Sequence, residues 1–188
     1  MKPVLVLYAT RESQSAHIAA HIARLLRETG QPTEALDVAG FETFDLTSHS
    51  KVILIAAMHR GKHEPEMVKL ATKYRRELDQ LPTALLSVSL TGATAVSASA
   101  SPEERADAAR SVSATMDGFF AETGWHPSDV TTVAGALPYS KVNFVVRFVV
   151  KQLAKQGAGN TGMSPGHGDT SWPELNRFIE EIRLPRAS

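Results

Sequence analysis

Residues Thr10-Arg11-Glu12-Ser13-Gln14-Ser15-Ala16 follow a short apolar run and lead at once into a helical pattern. A strand-to-helix turn rich in hydroxyls presents helix-start N–H groups that lack an intrahelical partner, and such groups suit an anion such as a phosphate. The same residues also read as an ordinary capped turn, with Ser13 or Ser15 as the cap. No Gly-Lys-Ser/Thr follows, which excludes a Walker loop. The turn holds no glycine either, which excludes the dinucleotide fingerprint.

The chain has 7 histidines. His17 and His21 are spaced i, i+4, and His59 and His63 stand four apart. Neither pair has a carboxylate at an obvious third-ligand position, and His-Glu-x-x-His is missing, so no metal site is expected. No Gly-x-Ser-x-Gly elbow makes a nucleophile of a serine, and no catalytic residue is assigned.

A basic stretch is more informative. No Asp or Glu occurs between Asp129 and Asp169, while Lys141, Arg147, Lys151 and Lys155 give that segment +4. From about Lys141 to Gln156, Asn143, Arg147, Lys151 and Lys155 recur every four residues as a polar stripe, opposite a broad Val/Phe face. Two readings stay open. The segment is an extra helix packed on the sheet, or a basic amphipathic helix that meets an anionic membrane surface or a carboxylate-bearing substrate.

Composition bounds the rest. The chain has 188 residues, 20 basic and 20 acidic, so one domain over 1–188 is expected, and zero net charge argues against a general nucleic-acid binder. The absence of cysteine removes disulfides, thiolate metal sites and a cysteine nucleophile. No stretch approaches the roughly 18 apolar residues of a transmembrane helix. Val4 to Tyr8 is too short for a signal-peptide core and runs into Arg11 and Glu12. A soluble cytoplasmic protein is expected.

Four apolar runs, Val4 to Tyr8, Val52 to Ala57, Ala84 to Leu90 and Val130 to Ala136, have the β-branched, non-alternating character of strands buried on both faces. Thr33 to Val38 is a weaker strand suited to a place nearer the edge. Between them, helical spacing runs through Ile18, Ile22, Leu25 and Leu26, through Met67, Leu70, Ala71, Tyr74 and Leu78, and through Ala109, Val112, Met116 and Phe119. A last helix carries Leu175, Phe178, Ile179 and Ile182. Ser171-Trp172-Pro173-Glu174 and Ser101-Pro102-Glu103-Glu104 are helix starts. This alternation predicts an α/β fold, a five-stranded parallel sheet with helices on both faces. Five strands suit the flavodoxin-like order 2-1-3-4-5, whose ligand sits at the carboxyl ends of strands near the order reversal. The residues from Leu137 to Thr170 exceed this pattern as an insertion, with its helix, after the fifth strand.

The Thr10-to-Ser15 turn resembles the FMN-phosphate loop of flavodoxins, most closely the Thr-Arg-Asp-Gly-Gln-Thr version of the menaquinone-dependent protoporphyrinogen oxidase family. Ala56-Ala57-Met58-His59-Arg60-Gly61-Lys62-His63 sits where that family has its second flavin loop. Leu85 to Leu90 is similar to its fourth strand, and Gly124-Trp125-His126-Pro127 with Ala134-Gly135-Ala136-Leu137-Pro138-Tyr139 to its signature insertion. Thr170-Ser171-Trp172 matches the start of its last helix. The likeness covers nearly the whole chain. Ser13 stands where the family usually has glycine, and Thr91-Gly92-Ala93-Thr94 replaces its basic residues after the fourth strand.

The resemblance implies FMN as cofactor. Its phosphate would lie against Thr10, Arg11, Glu12, Ser13, Gln14, Ser15 and Ala16, with the hydroxyls of Thr10, Ser13 and Ser15 as partners and the Glu12 charge directed away. Met58, His59, Arg60 and Gly61 would line the ring, with His59 and Arg60 able to stack or to stabilise charge on the reduced flavin. Ser89, Leu90, Thr91 and Gly92 would form the third loop. The expected activity is a quinone-linked dehydrogenase acting on a porphyrinogen, as in haem biosynthesis. Lys141, Arg147, Lys151 and Lys155 would face its propionates or the phosphates of the membrane's inner surface. A flavodoxin-type electron carrier and a flavin-free interaction module are the alternatives.

Overall fold

The computed structural model describes residues 1–9, 14–89, 100–134 and 172–183. Strand β1 (Val4–Tyr8) runs into helix α1 (Gln14–Glu28) and β2 (Thr33–Asp37), then through a 3-10 turn at Val38–Gly40 to β3 (Lys51–His59). After β3 come a two-residue strand β4 (Lys62–His63) and helices α2 (Pro65–Lys73) and α3 (Arg75–Leu78). Strand β5 (Thr83–Ser89), helix α4 (Pro102–Thr123), β6 (Asp129–Ala134) and helix α5 (Trp172–Arg183) complete the described chain.

The long strands form a sheet in the order β2-β1-β3-β5-β6, with β4 hanging off β3. All their pairings are parallel, and Val4 of β1 stands beside Thr33 on one side and Lys51 on the other. With β4 set aside, this is the expected 2-1-3-4-5 order, and β2 occupies an edge as its weaker pattern required.

Alternate residues of each strand feed two cores. Leu5, Leu7, Val52, Leu54, Ala56 and Leu85 pack with α2, α3, Val112, Met116 and Phe119 of α4, and Trp125 on one face. On the other face Val4, Val6, Ile53, Ile55, Ala84, Leu86 and Val133 meet Ile18 and Ile22 of α1 and Leu175, Phe178, Ile179 and Ile182 of α5. The central strands therefore read as unbroken apolar runs because both of their sides are covered.

Several expectations are corrected. The single helix expected from Met67 to Leu78 is broken at Tyr74, whose φ of −102° and ψ of 17° interrupt the α conformation. Ala108 faces the core of α4 while Ala109 is exposed, since one residue turns a helix by about 100°. Val130 is 46% exposed among the described residues, because β6 is an edge strand paired with β5 alone. The fourth strand begins one residue earlier than expected, at Thr83, and is described as far as Ser89.

Helix α4 opens at the start signal read at Ser101, and the structure builds it as a capping box. The Ser101 hydroxyl accepts from the Glu104 N–H at 3.1 Å, and the Glu104 carboxylate accepts from the Ser101 N–H at 2.7 Å. It closes at Gly124, whose φ of 65° is left-handed, and a Cβ there would meet Arg75 Nη1 at 3.0 Å. Trp125 follows into the core, fully buried. No described helix is long and apolar enough to cross a membrane. The insertion, with Lys141, Arg147, Lys151 and Lys155, lies outside the described residues, as does the start signal at Ser171.

Candidate functional site

Parallel pairing sends β1, β3 and β5 out of the sheet at one edge, and these three strands are neighbours. The chain passes from β1 to β2 on one side and then returns to β3 on the other, so the order reverses between β1 and β3. A crevice at that point is where open α/β sheets bind ligands.

The first loop leaves β1 after buried Ala9. Thr10, Arg11, Glu12 and Ser13 lie outside the described residues, while Gln14, Ser15 and Ala16 form the first turn of α1. That turn carries no acidic side chain, and Ser15 is only 1% exposed. The helix is anchored behind it by Ile18, Ala19, Ile22, Ala23 and Leu26. A 15-residue helix fixed in this way aims the positive end of its dipole at the strand edge, a donor set suited to phosphate.

The second loop is built as a β-hairpin. Met58 pairs with His63 and His59 with Lys62. Arg60 and Gly61 turn the chain with φ of 50° and 74°, the double left-handed geometry of a two-residue hairpin. Arg60 is the sole non-glycine residue with positive φ among the described residues. His59, Arg60, Gly61 and Lys62 are exposed, and nothing stands within 4 Å of a Cβ built on Gly61. A flat ligand has room to lie there.

Residues that sequence reading missed hold this hairpin. His63 turns inward, and its Nε2 shares a 2.8 Å hydrogen bond with Ser87 Oγ of β5. Its ring meets Phe119 edge-on at 4.9 Å, and burial lowers its pKa to about 4, which keeps it neutral. Thr115 of α4 donates its hydroxyl to the Gly61 carbonyl at 3.2 Å. Glu64 is buried at the start of α2, with its Oε1 3.1 Å from His59 Nε2. The sequence signal for these roles was slight: period-2 alternation sends His63 inward once β4 is recognised, but β4 has only two residues.

The third loop begins at Ser89, buried at the end of β5. Leu90, Thr91 and Gly92 lie outside the described residues. The described chain resumes at Ala100, whose carbonyl accepts from Arg105 Nη1 at 3.1 Å.

The histidine pairs do not converge. His21 Nε2 is 2.8 Å from Asn176 Oδ1, tying α1 to α5, and its Nδ1 is 3.3 Å from Arg24 Nη2. Of the other pair, His59 points to the rim and His63 to the core. Among the described residues no group of three or more His, Asp or Glu side chains is placed to hold a metal ion.

This sheet order, with three loops at one edge beside the order reversal, is the architecture of the flavodoxins. Residues 5–164 match the family model described as the flavodoxin domain, and the chain belongs to that family. Over 178 residues it is 26% identical to protoporphyrinogen IX dehydrogenase [quinone] of Escherichia coli strain K12, covering 95% of this chain and 93% of that protein. The protein of the same name from Leishmania major is 28% identical over 185 residues, covering 97% of this chain and 76% of that one. Among solved structures, a short-chain flavodoxin associated with a PDU bacterial microcompartment superposes with a TM-score of 0.51 at 13% identity, covering 81% of this chain and 99% of that chain. Rubredoxin oxygen:oxidoreductase of Desulfovibrio gigas superposes with a TM-score of 0.50 at 10% identity, and this chain spans 38% of that longer protein while 98% of this chain is covered. These structural likenesses concern the fold.

Proposed function

We propose that the chain is an FMN-dependent oxidoreductase that takes electrons from a porphyrinogen and passes them to a quinone. The observation that carries this reading is the 26% identity, spread over 95% of the chain, with a protein named protoporphyrinogen IX dehydrogenase [quinone]. The donor set at the strand edge fits the cofactor: an acid-free first turn of α1 for its phosphate, and an open, glycine-bearing hairpin for its ring.

Bound there, FMN supplies the redox chemistry. The chain's own residues would bind and orient it. Thr10 to Ala16 would hold the phosphate by N–H and hydroxyl bonds, Met58 to Gly61 would face the ring, and Ser89 to Gly92 would close the remaining side. Lys141, Arg147, Lys151 and Lys155 would meet the propionates of the substrate or the phosphates of a membrane from which quinone is collected.

The experiment is an absorbance spectrum of the purified protein supplied with FMN, followed by anaerobic mixing with a porphyrinogen and a soluble quinone. Bound-flavin bands together with quinone-dependent porphyrin formation are expected. Flavin bands without porphyrin would point to an electron carrier, and a protein that takes up no flavin would be an interaction module.

A further inference from the structure

Resting on that reading of the site, we propose that Arg60, with Lys62 beside it, forms the subsite that takes a carboxylate of the substrate.

The backbone supplies the first observation. Arg60 holds a left-handed φ of 50°, a conformation that costs free energy for a residue carrying a Cβ, and no other non-glycine residue among the described ones does so. The two central positions of such a turn favour glycine, asparagine or aspartate, and Gly61 conforms. An arginine at the other position works against folding. Strain of this kind collects at ligand clamps and active sites.

The side chains supply the second. Arg60 and Lys62 are exposed, and neither makes an ion pair or a side-chain hydrogen bond among the described residues. Elsewhere Arg24 pairs with Glu28, Arg110 with Asp107, and Lys73 donates to the Glu42 carbonyl. From Arg60 to Lys73 the exposed fixed charges are Arg60, Lys62, Lys69 and Lys73 against Glu66, so the tip opens a positive stretch.

The arm that carries the two cations is stiff. His59 pairs with Lys62 and Met58 with His63, while Ser87 holds His63 in the core at 2.8 Å. Thr115 holds the Gly61 carbonyl at 3.2 Å. A tip fixed before its ligand arrives loses little freedom on binding.

An anion is the complement of this tip. The guanidinium fork matches a carboxylate with paired N–H donors, and the Lys62 ammonium adds a compact charge beside it. The phosphate of FMN is assigned to the first turn of α1, at the end of a different strand, so an anion here belongs to a second molecule. In the proposed reaction that molecule is the porphyrinogen, which bears propionates. The cations of the insertion are then free for the membrane.

The test titrates a porphyrin dipropionate and its uncharged bis-amide into the FMN-loaded protein, read by porphyrin fluorescence. Wild type, Arg60→Gly, Arg60→Lys, Lys62→Gln and Arg76→Gln are compared. Wild type is expected to prefer the diacid. Arg60→Gly should lose about tenfold in affinity for the diacid and nothing for the bis-amide, while its urea midpoint stays equal or rises. Arg60→Lys should recover part of that loss, and Lys62→Gln should lose about threefold. Arg76→Gln, which removes an exposed cation of α3, should change neither affinity. Equal binding of diacid and bis-amide by wild type, an unchanged preference in Arg60→Gly, or an equal loss in Arg76→Gln overturns the subsite and leaves flavin binding intact. A parallel fall of FMN affinity in Arg60→Gly assigns the cation to the cofactor and overturns the subsite as well. A wild-type protein that binds FMN but neither porphyrin overturns this inference together with the proposed substrate. One that takes up no FMN overturns the whole reading on which it rests.

Discussion

His63 Nε2 and Ser87 Oγ lie 2.8 Å apart in the core, and through them the two-residue strand β4 is tied to the centre of β5. Ser87 is fully buried and His63 is 6% exposed. A hydrogen bond sealed from water in this way fixes the base of the exposed hairpin that ends in Arg60 and Gly61.

Acid should loosen the protein through His63. Burial lowers its pKa from 6.5 to about 4. Below pH 6.5 the unfolded chain takes up a proton that the folded chain refuses until about pH 4, so stability falls across that window and is unaffected above it. At 1.36 kcal/mol per pKa unit the loss is about 3 kcal/mol. Urea unfolding of wild type and His63→Gln at pH 7.0 and 4.0 measures it, in roughly that pH range. Hydrogen bonds from the hydroxyls and N–H groups of Thr47 and Ser48 lower Asp45, and those of Ser101 lower Glu104, but both carboxylates are common to the two proteins and cancel in the comparison. Parallel acid losses in both would remove His63 from the account.

The hairpin turn should discriminate sharply between its two residues. At φ of 74°, Gly61→Ala is expected to cost about 1 kcal/mol from backbone strain, because the space for a Cβ is open. Arg60→Gly, at φ of 50°, relieves the same strain and should leave stability equal or higher. Urea midpoints of the two variants give the order directly.

Flavin phosphate is expected at the first turn of α1. Replacing Thr10 and Ser15 together by alanine should weaken FMN by roughly 1–3 kcal/mol, the usual loss for hydrogen bonds to a charged group. Fluorescence titration of FMN into the double variant reads this loss, and unchanged affinity would move the phosphate elsewhere.

The basic insertion should bring the protein to anionic membranes. Arg147, Lys151 and Lys155 together supply roughly 3 kcal/mol at about 1 kcal/mol per cation near the surface. This attraction should weaken with salt, as the Debye length is about 8 Å at physiological ionic strength. Co-sedimentation with phosphatidylserine liposomes is expected for wild type at low salt and lost when all three residues become glutamate. Equal pelleting of both would assign the segment to core packing.

Much of the fold was legible because a strand covered on both faces cannot hide. Val4 to Tyr8, Val52 to Ala57 and Ala84 to Leu90 are apolar without alternation, and that composition requires helices above and below a parallel sheet. The helix start at Ser101 was equally plain, because its residues lie next to one another in the chain. The edge of the sheet at which a ligand crevice opens followed from the strand order.

What the sequence determined by itself was therefore local: periodicity, caps, the hydroxyl-rich turn before α1, and a family likeness carried by short motifs. What only the tertiary structure decided was which distant residues stand behind those motifs. His63 and Ser87 are 24 residues apart and Thr115 and Gly61 are 54 apart, and no pattern along the chain links them. Glu64, the N-cap residue of α2, went unremarked in the sequence, and only the hairpin brings His59 Nε2 within 3.1 Å of it. Spacing along a chain records which face a residue takes within its own helix or strand. The partner across the sheet is set by register and packing, which exist only once the chain has closed on itself.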